Sequence, residues 1–320
     1  MEKYNPFMEM EREGNRGADA HKAVWAAMLA NLVIALSKLV VALISGSSAM
    51  LAETFHSLAD TGNEVLLMTG LHRSRRPPDR RHPFGYGKEE YFWSFMVALM
   101  IFTVGAALSV YEGIKKLLHP HPLEGLIWIY LVLVVAFVME AWSLRVAYGE
   151  FRRGPGEEGF WKGLKTTGNV TLVVILFEDS AALVGLVIAF LGVSLANITG
   201  NYIFDGVASV AIGLLLAGVA FFLAAKTRDL LIGAAAQREK VARVREILSC
   251  CPQVEGVGDI LTMQLGPENL LVAINLDFKD QLSAGEMEEL IDRLEQSIRE
   301  AIPEAKQIFI EADTVSAKKG

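Results

Sequence analysis

Cysteine is nearly absent: Cys250 and Cys251 are the only two in 320 residues. As sequence neighbours they cannot tie distant segments together, so no disulfide framework exists. Histidine stops early. The last one is His121, which leaves the whole C-terminal part without an imidazole. No short apolar core with a small-residue cleavage site opens the chain, because residues 1–20 are polar and mixed in charge; a removable signal peptide or transit segment is not expected. Neither a His-Glu-x-x-His helix nor a Ser/His constellation is present, which counts against a membrane metalloenzyme. An excess of basic charge is missing too. The net charge is −7, and between residues 238 and 313 acidic residues outnumber basic ones sixteen to eight. A nucleic-acid partner would need a basic face, so none is expected.

What the chain has in quantity is apolar sequence: 52% hydrophobic residues and a mean hydropathy of +0.35, too apolar for an ordinary soluble protein. Six runs, at 23–44, 48–70, 90–117, 125–148, 170–191 and 203–224, are each long enough for the ~17–25 residues that cross a bilayer as a helix. Trp25, Trp93, Trp128 and Trp142 fall near their ends, as interface-seeking residues should. Basic residues crowd the loop after the second run (Arg73, Arg75, Arg76, Arg80, Arg81, Lys88) and the loop after the fourth (Arg152, Arg153, Lys162, Lys165). The positive-inside rule then puts both termini in the cytoplasm, a parity that six spans satisfy. The short loops point to a bacterial inner membrane.

After Lys226 the composition becomes that of a soluble domain. Helical apolar spacing marks 238–249 and 284–301, and strand alternation marks 258–265, 269–278 and 308–311. The expected organisation is a cytoplasmic tail at 1–22, a bundle of six transmembrane helices at 23–226, a cytoplasmic α+β domain of αββαβ, ferredoxin-like type at 227–315, and a tail at 316–320. Cys250 and Cys251 would end its first helix as core packing.

Charged and polar residues inside the apolar runs are expensive, and each is a functional hypothesis by default. His56 and Asp60 stand four apart on the second run and share a helix face, with Glu53 one turn away and Asn63 beyond. The first run holds Asn31 and Lys38, the fourth Glu140, the fifth Glu178-Asp179, and the sixth Asp205 near its start. One imidazole with two or three carboxylates suits a hard or borderline divalent cation such as zinc. Neighbouring side chains on a helix diverge by ~100°, so Glu178 and Asp179 cannot easily serve one centre. Asp179 is the favoured third ligand. Glu178 either joins the metal shell or pairs with Lys38, the more favoured of its two roles; Glu140 and Asp205 are other possible partners for that cation. The bland alternative for His56 and Asp60 is a polar pair that only pins helix packing.

Three segments together carry a resemblance: Gly46-Ser-Ser-Ala-Met-Leu-Ala-Glu-Thr-Phe-His56-Ser-Leu-Ala-Asp60-Thr-Gly-Asn63, then His82-Pro-Phe-Gly-Tyr-Gly-Lys88, then Leu230-Leu-Ile-Gly233. The chain resembles the cation diffusion facilitator family. The resemblance implies a homodimer in the lipid bilayer that exports a divalent metal, usually zinc, in exchange for protons, by alternating access and without an organic cofactor. It implies His56, Asp60 and Asp179 as metal ligands with Glu178 as a candidate; beside them Glu53, Asn63, Asp205 and Lys38 are candidate proton-relay or supporting groups. Three departures stand out. The family's first ligand position on the fifth span falls on Ile175, so the Glu178-Asp179 pair resembles a subfamily with that motif. Tyr86 stands where many members carry a loop histidine, and the cytoplasmic domain lacks the histidines of many relatives. Manganese, iron or cobalt as the transported ion, and a membrane-anchored metal sensor or metalloenzyme, are the alternatives.

Overall fold

The structure, a computed structural model, describes residues 31–153 and 170–313. Expectations for the 1–22 and 316–320 tails, the start of the first run, Trp25, Lys162 and Lys165 lie outside the described residues. Among the described residues six helices precede the C-terminal domain: α1 (Asn31–Ser45), α2 (Ser48–Ser74), α3 (Lys88–Leu118), α4 (Leu126–Arg153), α5 (Val170–Thr199) and α6 (Ile203–Ile232). Among the described residues, four of them, α3 to α6, are long and apolar enough to cross a membrane. The described part of α1 is shorter, and α2 carries a polar stripe that makes it less apolar than the others. Several helices outrun the expected spans. The last continues six residues past Lys226 because the loss of apolar character there does not break the helix.

The middle of α3 is not α-helical: Ile101–Ala107 forms a π-helical stretch. Thr103 Oγ1 donates to the Leu99 carbonyl at 2.8 Å and Ser109 Oγ to the Gly105 carbonyl at 2.5 Å, so hydroxyls take carbonyls whose spacing has been altered. Hydropathy gives no warning of this, because an apolar run looks the same in either winding.

The described residues divide into two compact units. One combines 31–66, 97–151 and 175–222, and holds every polar side chain discussed below as part of the candidate site. The other combines 67–96, 152–153, 170–174 and 223–313.

In the second unit the C-terminal domain runs α7 (Arg238–Ser249), β1 (Val254–Gly266), β2 (Asn269–Phe278), α8 (Ala284–Ala301) and β3 (Gln307–Ala312). β1 and β2 pair antiparallel across a two-residue connection, and β2 pairs parallel with β3, giving a sheet of order β1-β2-β3. Leu270, Val272, Ile274, Leu276 and Phe278 alternate inward and meet Val244 and Leu248 of α7 and Leu290, Leu294 and Ile298 of α8. A capping box closes the start of α8: Ser283 Oγ accepts from the Glu286 backbone N–H while the Glu286 carboxylate accepts from the Ser283 N–H. The expected αββαβ order is the observed one, with β1 starting earlier than the alternation indicated. One expectation needs correcting. Cys250 caps α7 and is exposed, while only Cys251 packs against the core, with its thiol on Gln253. The sharp end of the helix turns the first of two adjacent side chains out.

This core is closed by apolar contacts alone, so the segment 237–313 is expected to fold without zinc. Circular dichroism and urea unfolding with and without a chelator check it. A chelator-induced loss of cooperative unfolding would show a structural metal.

Candidate metal centre

The site is built on α2. Glu53, His56, Asp60 and Asn63 follow at three- and four-residue steps and fall within an arc of about 80° at 100° per residue. Glu53, His56 and Asn63 are buried and Asp60 is nearly so. His56 Nδ1 lies 3.3 Å from Asp60 Oδ1, close enough for ion pairing but without hydrogen-bond alignment.

From α5, Glu178 reaches this stripe. Asn63 Nδ2 donates to Glu178 Oε1 at 2.7 Å, which brings the Glu178 carboxyl to the stripe beside Asp60. Asp179, next along the chain, points elsewhere and accepts from Ser143 Oγ of α4 at 2.8 Å. The ~100° divergence of neighbours thus separates the two carboxylates as expected, with the opposite assignment of which one meets Asp60.

Lys38 of α1 has a different partner from the one the sequence favoured. Its ammonium donates to Glu53 Oε2 at 3.1 Å and to Ser57 Oγ at 2.8 Å, with both charged groups fully buried. The expected pairing with Glu178 does not occur, because Glu53 and Ser57 lie four apart on the α2 face that meets α1. On the far side of Glu53 stands Gly185 of α5. A β-carbon there would lie 2.5 Å from Glu53 Oε1, so a larger residue would push that carboxylate from its present place. The contacts Asn63–Glu178 and Glu53–Gly185 run in opposite chain directions, so α2 and α5 pack antiparallel along the stripe. Between them α5 presents Ala181 and Ala182, both buried and small.

Five polar atoms along the stripe are buried without a hydrogen-bond partner: Glu53 Oε1, His56 Nδ1 and Nε2, Asp60 Oδ1 and Asn63 Oδ1. Buried polar groups are normally satisfied, and an unsatisfied one costs about 1–3 kcal/mol. Such a run of orphaned donor atoms on one helix face is what a path for a hydrated or coordinated cation requires. Among the described residues no three His, Cys, Asp or Glu side chains already form a metal cage. His56, Asp60 and Glu178 are not gathered around one point, so coordination needs a rearrangement.

Asp205 stands apart from this line and anchors the N-terminus of α2. It accepts from the Ser48 backbone N–H at 2.7 Å, the Ala49 N–H at 3.3 Å and Ser47 Oγ at 2.5 Å, and Lys116 lies 3.8 Å away. A carboxylate is favoured there by the orphan N–H groups and the helix dipole. Lys116 also donates to the Gly46 carbonyl at 2.8 Å and touches the His121 ring at 2.9 Å, so His121 is part of a packed corner. Gly46, at φ +67°, leaves His121 room there that a β-carbon would take. Ser47, Ser48, Ser57 and Ser143 carried no signal in the sequence, since hydroxyl residues are common in any apolar helix; Gly185 was legible as a small residue that lets helices approach closely, but not as the neighbour of Glu53.

In the basic loop Asp79 organises a turn, accepting from the Arg81 and His82 N–H groups and from the Tyr86 hydroxyl at 2.7 Å. The Tyr86 hydroxyl, followed by the His82 and Arg81 N–H groups, holds the Asp79 carboxyl below its usual range. The His82 ring packs tilted against that of Tyr86, their centroids 4.2 Å apart, in keeping with a turn residue.

Residues 24–232 match the cation efflux transmembrane domain, and residues 236–315 match the cation efflux protein cytoplasmic domain. The chain is similar to the mitochondrial proton-coupled zinc antiporter SLC30A9 of Mus musculus, at 35% identity over 294 residues, covering 90% of this chain and 52% of that relative. It is 33% identical over 269 residues to metal tolerance protein C4 of Arabidopsis thaliana, covering 82% of this chain and 58% of the relative. It thus spans little more than half the length of these two. The manganese efflux system protein MneP of Bacillus subtilis is 22% identical over 301 residues, covering 91% of this chain and 95% of the relative.

Proposed function

The chain belongs to the cation efflux family, and from that membership we propose that it exports a divalent metal cation, zinc foremost, across a membrane in exchange for protons. The observation that carries this reading is the meeting of His56 and Asp60 on α2 with Glu178 from α5, on a stripe of orphaned buried donors. These three are the proposed ligands, with Asn63 orienting Glu178 through its amide. Asp179, held by Ser143, keeps a role as an auxiliary carboxylate beside the site or as a fourth ligand after rearrangement. The relatives named as a zinc antiporter and a metal tolerance protein support a transporter over an enzyme.

Metal and protons compete for the same lone pairs, so metal binding expels protons and protonation releases metal. Alternating access then carries the ion in one direction and protons in the other, through rocking of the helices around the site. The reading includes six membrane spans, α1 to α6, with both termini and the αββαβ domain in the cytoplasm. It also includes a homodimer. Leu261, Ala273 and Phe309 are register neighbours on the sheet face opposite the helices, and Leu261 and Phe309 are exposed there, a surface suited to a second copy. The names of the zinc antiporter relatives give no support to a bacterial inner membrane.

A second cation, manganese, is favoured by the oxygen-rich donor set and by the manganese efflux relative. The deciding experiment is uptake into sealed vesicles containing the purified protein, with internal dyes for metal and pH. Zinc entry with opposite proton movement is expected. A protein that binds zinc but moves neither ion would overturn the exporter in favour of a sensor.

A further inference from the structure

The exporter reading assigns work to His56, Asp60 and Glu178 but leaves the fully buried Lys38–Glu53 pair without a task. Burying two charges costs several kcal/mol each before their attraction repays it, so such a pair is weak support for stability and calls for another reason. Its position supplies one. Glu53 lies three residues from His56 towards the start of α2, about 4.5 Å along the axis, on the same stripe of orphaned atoms. In the proposed topology that direction leads away from the cytoplasm. An ion leaving His56 and Asp60 outward therefore meets Glu53 next.

Glu53 is held on both sides. Oε2 is occupied by the Lys38 ammonium, and Oε1 lies without a partner in the space that a β-carbon at Gly185 would enter. The carboxylate thus fills the contact between α2 and α5 while a tethered cation from α1 neutralises it. Lys38 also donates to Ser57, the residue after His56, so the same ammonium joins α1 to the metal-bearing turn. A mobile dication can take both oxygens of the Glu53 carboxylate only by displacing the resident ammonium from Oε2.

We propose that Lys38 and Glu53 form the outer gate of the ion path: the Lys38 ammonium is a built-in competitor for the Glu53 carboxylate, and the outward passage opens only when this pair parts. The inference rests on the exporter reading for its direction, and it makes Lys38 and Glu53 positioning residues for release rather than ligands of the central site. An ion pair that served packing alone would lock α1 to α2 without controlling access to the space beside His56.

The test separates gate from scaffold. Cysteine is introduced at Ala181, beside the stripe on α5, in the full chain reconstituted into oriented vesicles. A membrane-impermeant thiol reagent is then added on the side away from the cytoplasmic domain, with Cys250 and Cys251 shielded behind the membrane. The Lys38→Met/Glu53→Gln double variant removes both charges at near-constant shape and strands neither. Labelling in this background is expected to be at least about tenfold faster than in the parent, equivalent to ~1.4 kcal/mol off the barrier to access. Lys38→Arg, which keeps the charge, is expected to label at the parent rate. Equal labelling rates in the double variant and the parent would overturn the gate. So would equally fast labelling in Lys38→Arg, because that reports loosened packing rather than lost charge. Zinc flux by the parent in the same vesicles is read in parallel. Its absence would count against the exporter reading, while the labelling comparison still decides whether the pair controls access.

Discussion

Asp60→Ala is expected to abolish zinc transport, with a loss of at least about a hundredfold, while the protein still inserts and assembles. Removal of groups that merely support a metal ligand costs 10–100-fold in affinity or activity, and a direct charged ligand should cost at least as much. Asp60 lies 3.3 Å from His56 and beside Glu178, which Asn63 holds against the same stripe, so it stands between the imidazole of α2 and the carboxylate of α5. Asp60→Asn keeps the shape and hydrogen bonding but removes the charge, and should lose flux to a similar degree. Zinc uptake into vesicles, with size-exclusion profiles of the detergent-solubilised variants, checks both. Near-normal uptake by either variant would remove Asp60 from the ligand set.

The second large effect concerns the two carboxylates of α5. Glu178→Gln should cut zinc flux by about 10–100-fold or more, whereas Asp179→Asn should cost no more than about tenfold. The amide of glutamine can still accept from Asn63, so packing is preserved and the loss reports charge at the metal. Asp179 bonds to Ser143 of α4, and an asparagine oxygen can accept the same hydrogen bond. Flux and zinc binding by calorimetry on the two single variants give the order. If Asp179→Asn eliminates both while Glu178→Gln leaves them intact, the ligand from α5 is Asp179, as the sequence spacing favoured. The proposed assignment then fails.

Much of this protein was legible in its sequence because its signals are periodic or expensive. A polar stripe of Glu53, His56, Asp60 and Asn63 in an apolar run declares itself by the cost of placing it there. Alternation in 269–278 and the helical spacing of 284–301 set the burial of β2 and α8 before any contact is known. The angular divergence of Glu178 and Asp179 was equally available.

Which of those two turns to Asp60 was decided only in three dimensions. Spacing fixes the angle between neighbours but not the rotation of α5 about its axis, which depends on how Gly185, Ala181 and Ala182 let it approach α2. Lys38 likewise advertised its need for a counter-charge, and the sequence offered Glu178, Glu140 and Asp205 as partners. The packing of α1 on α2 selected Glu53, because the short reach of a side chain makes pairing a matter of helix contact rather than of chain order. Asp205 looked in the sequence like one more intramembrane carboxylate. The fold carried it to the first turn of α2, where unpaired backbone N–H groups hold it. Residue type and period, then, determined the elements and the stripe; the choice among equivalent partners belonged to helix rotation and contact, which no local pattern encodes.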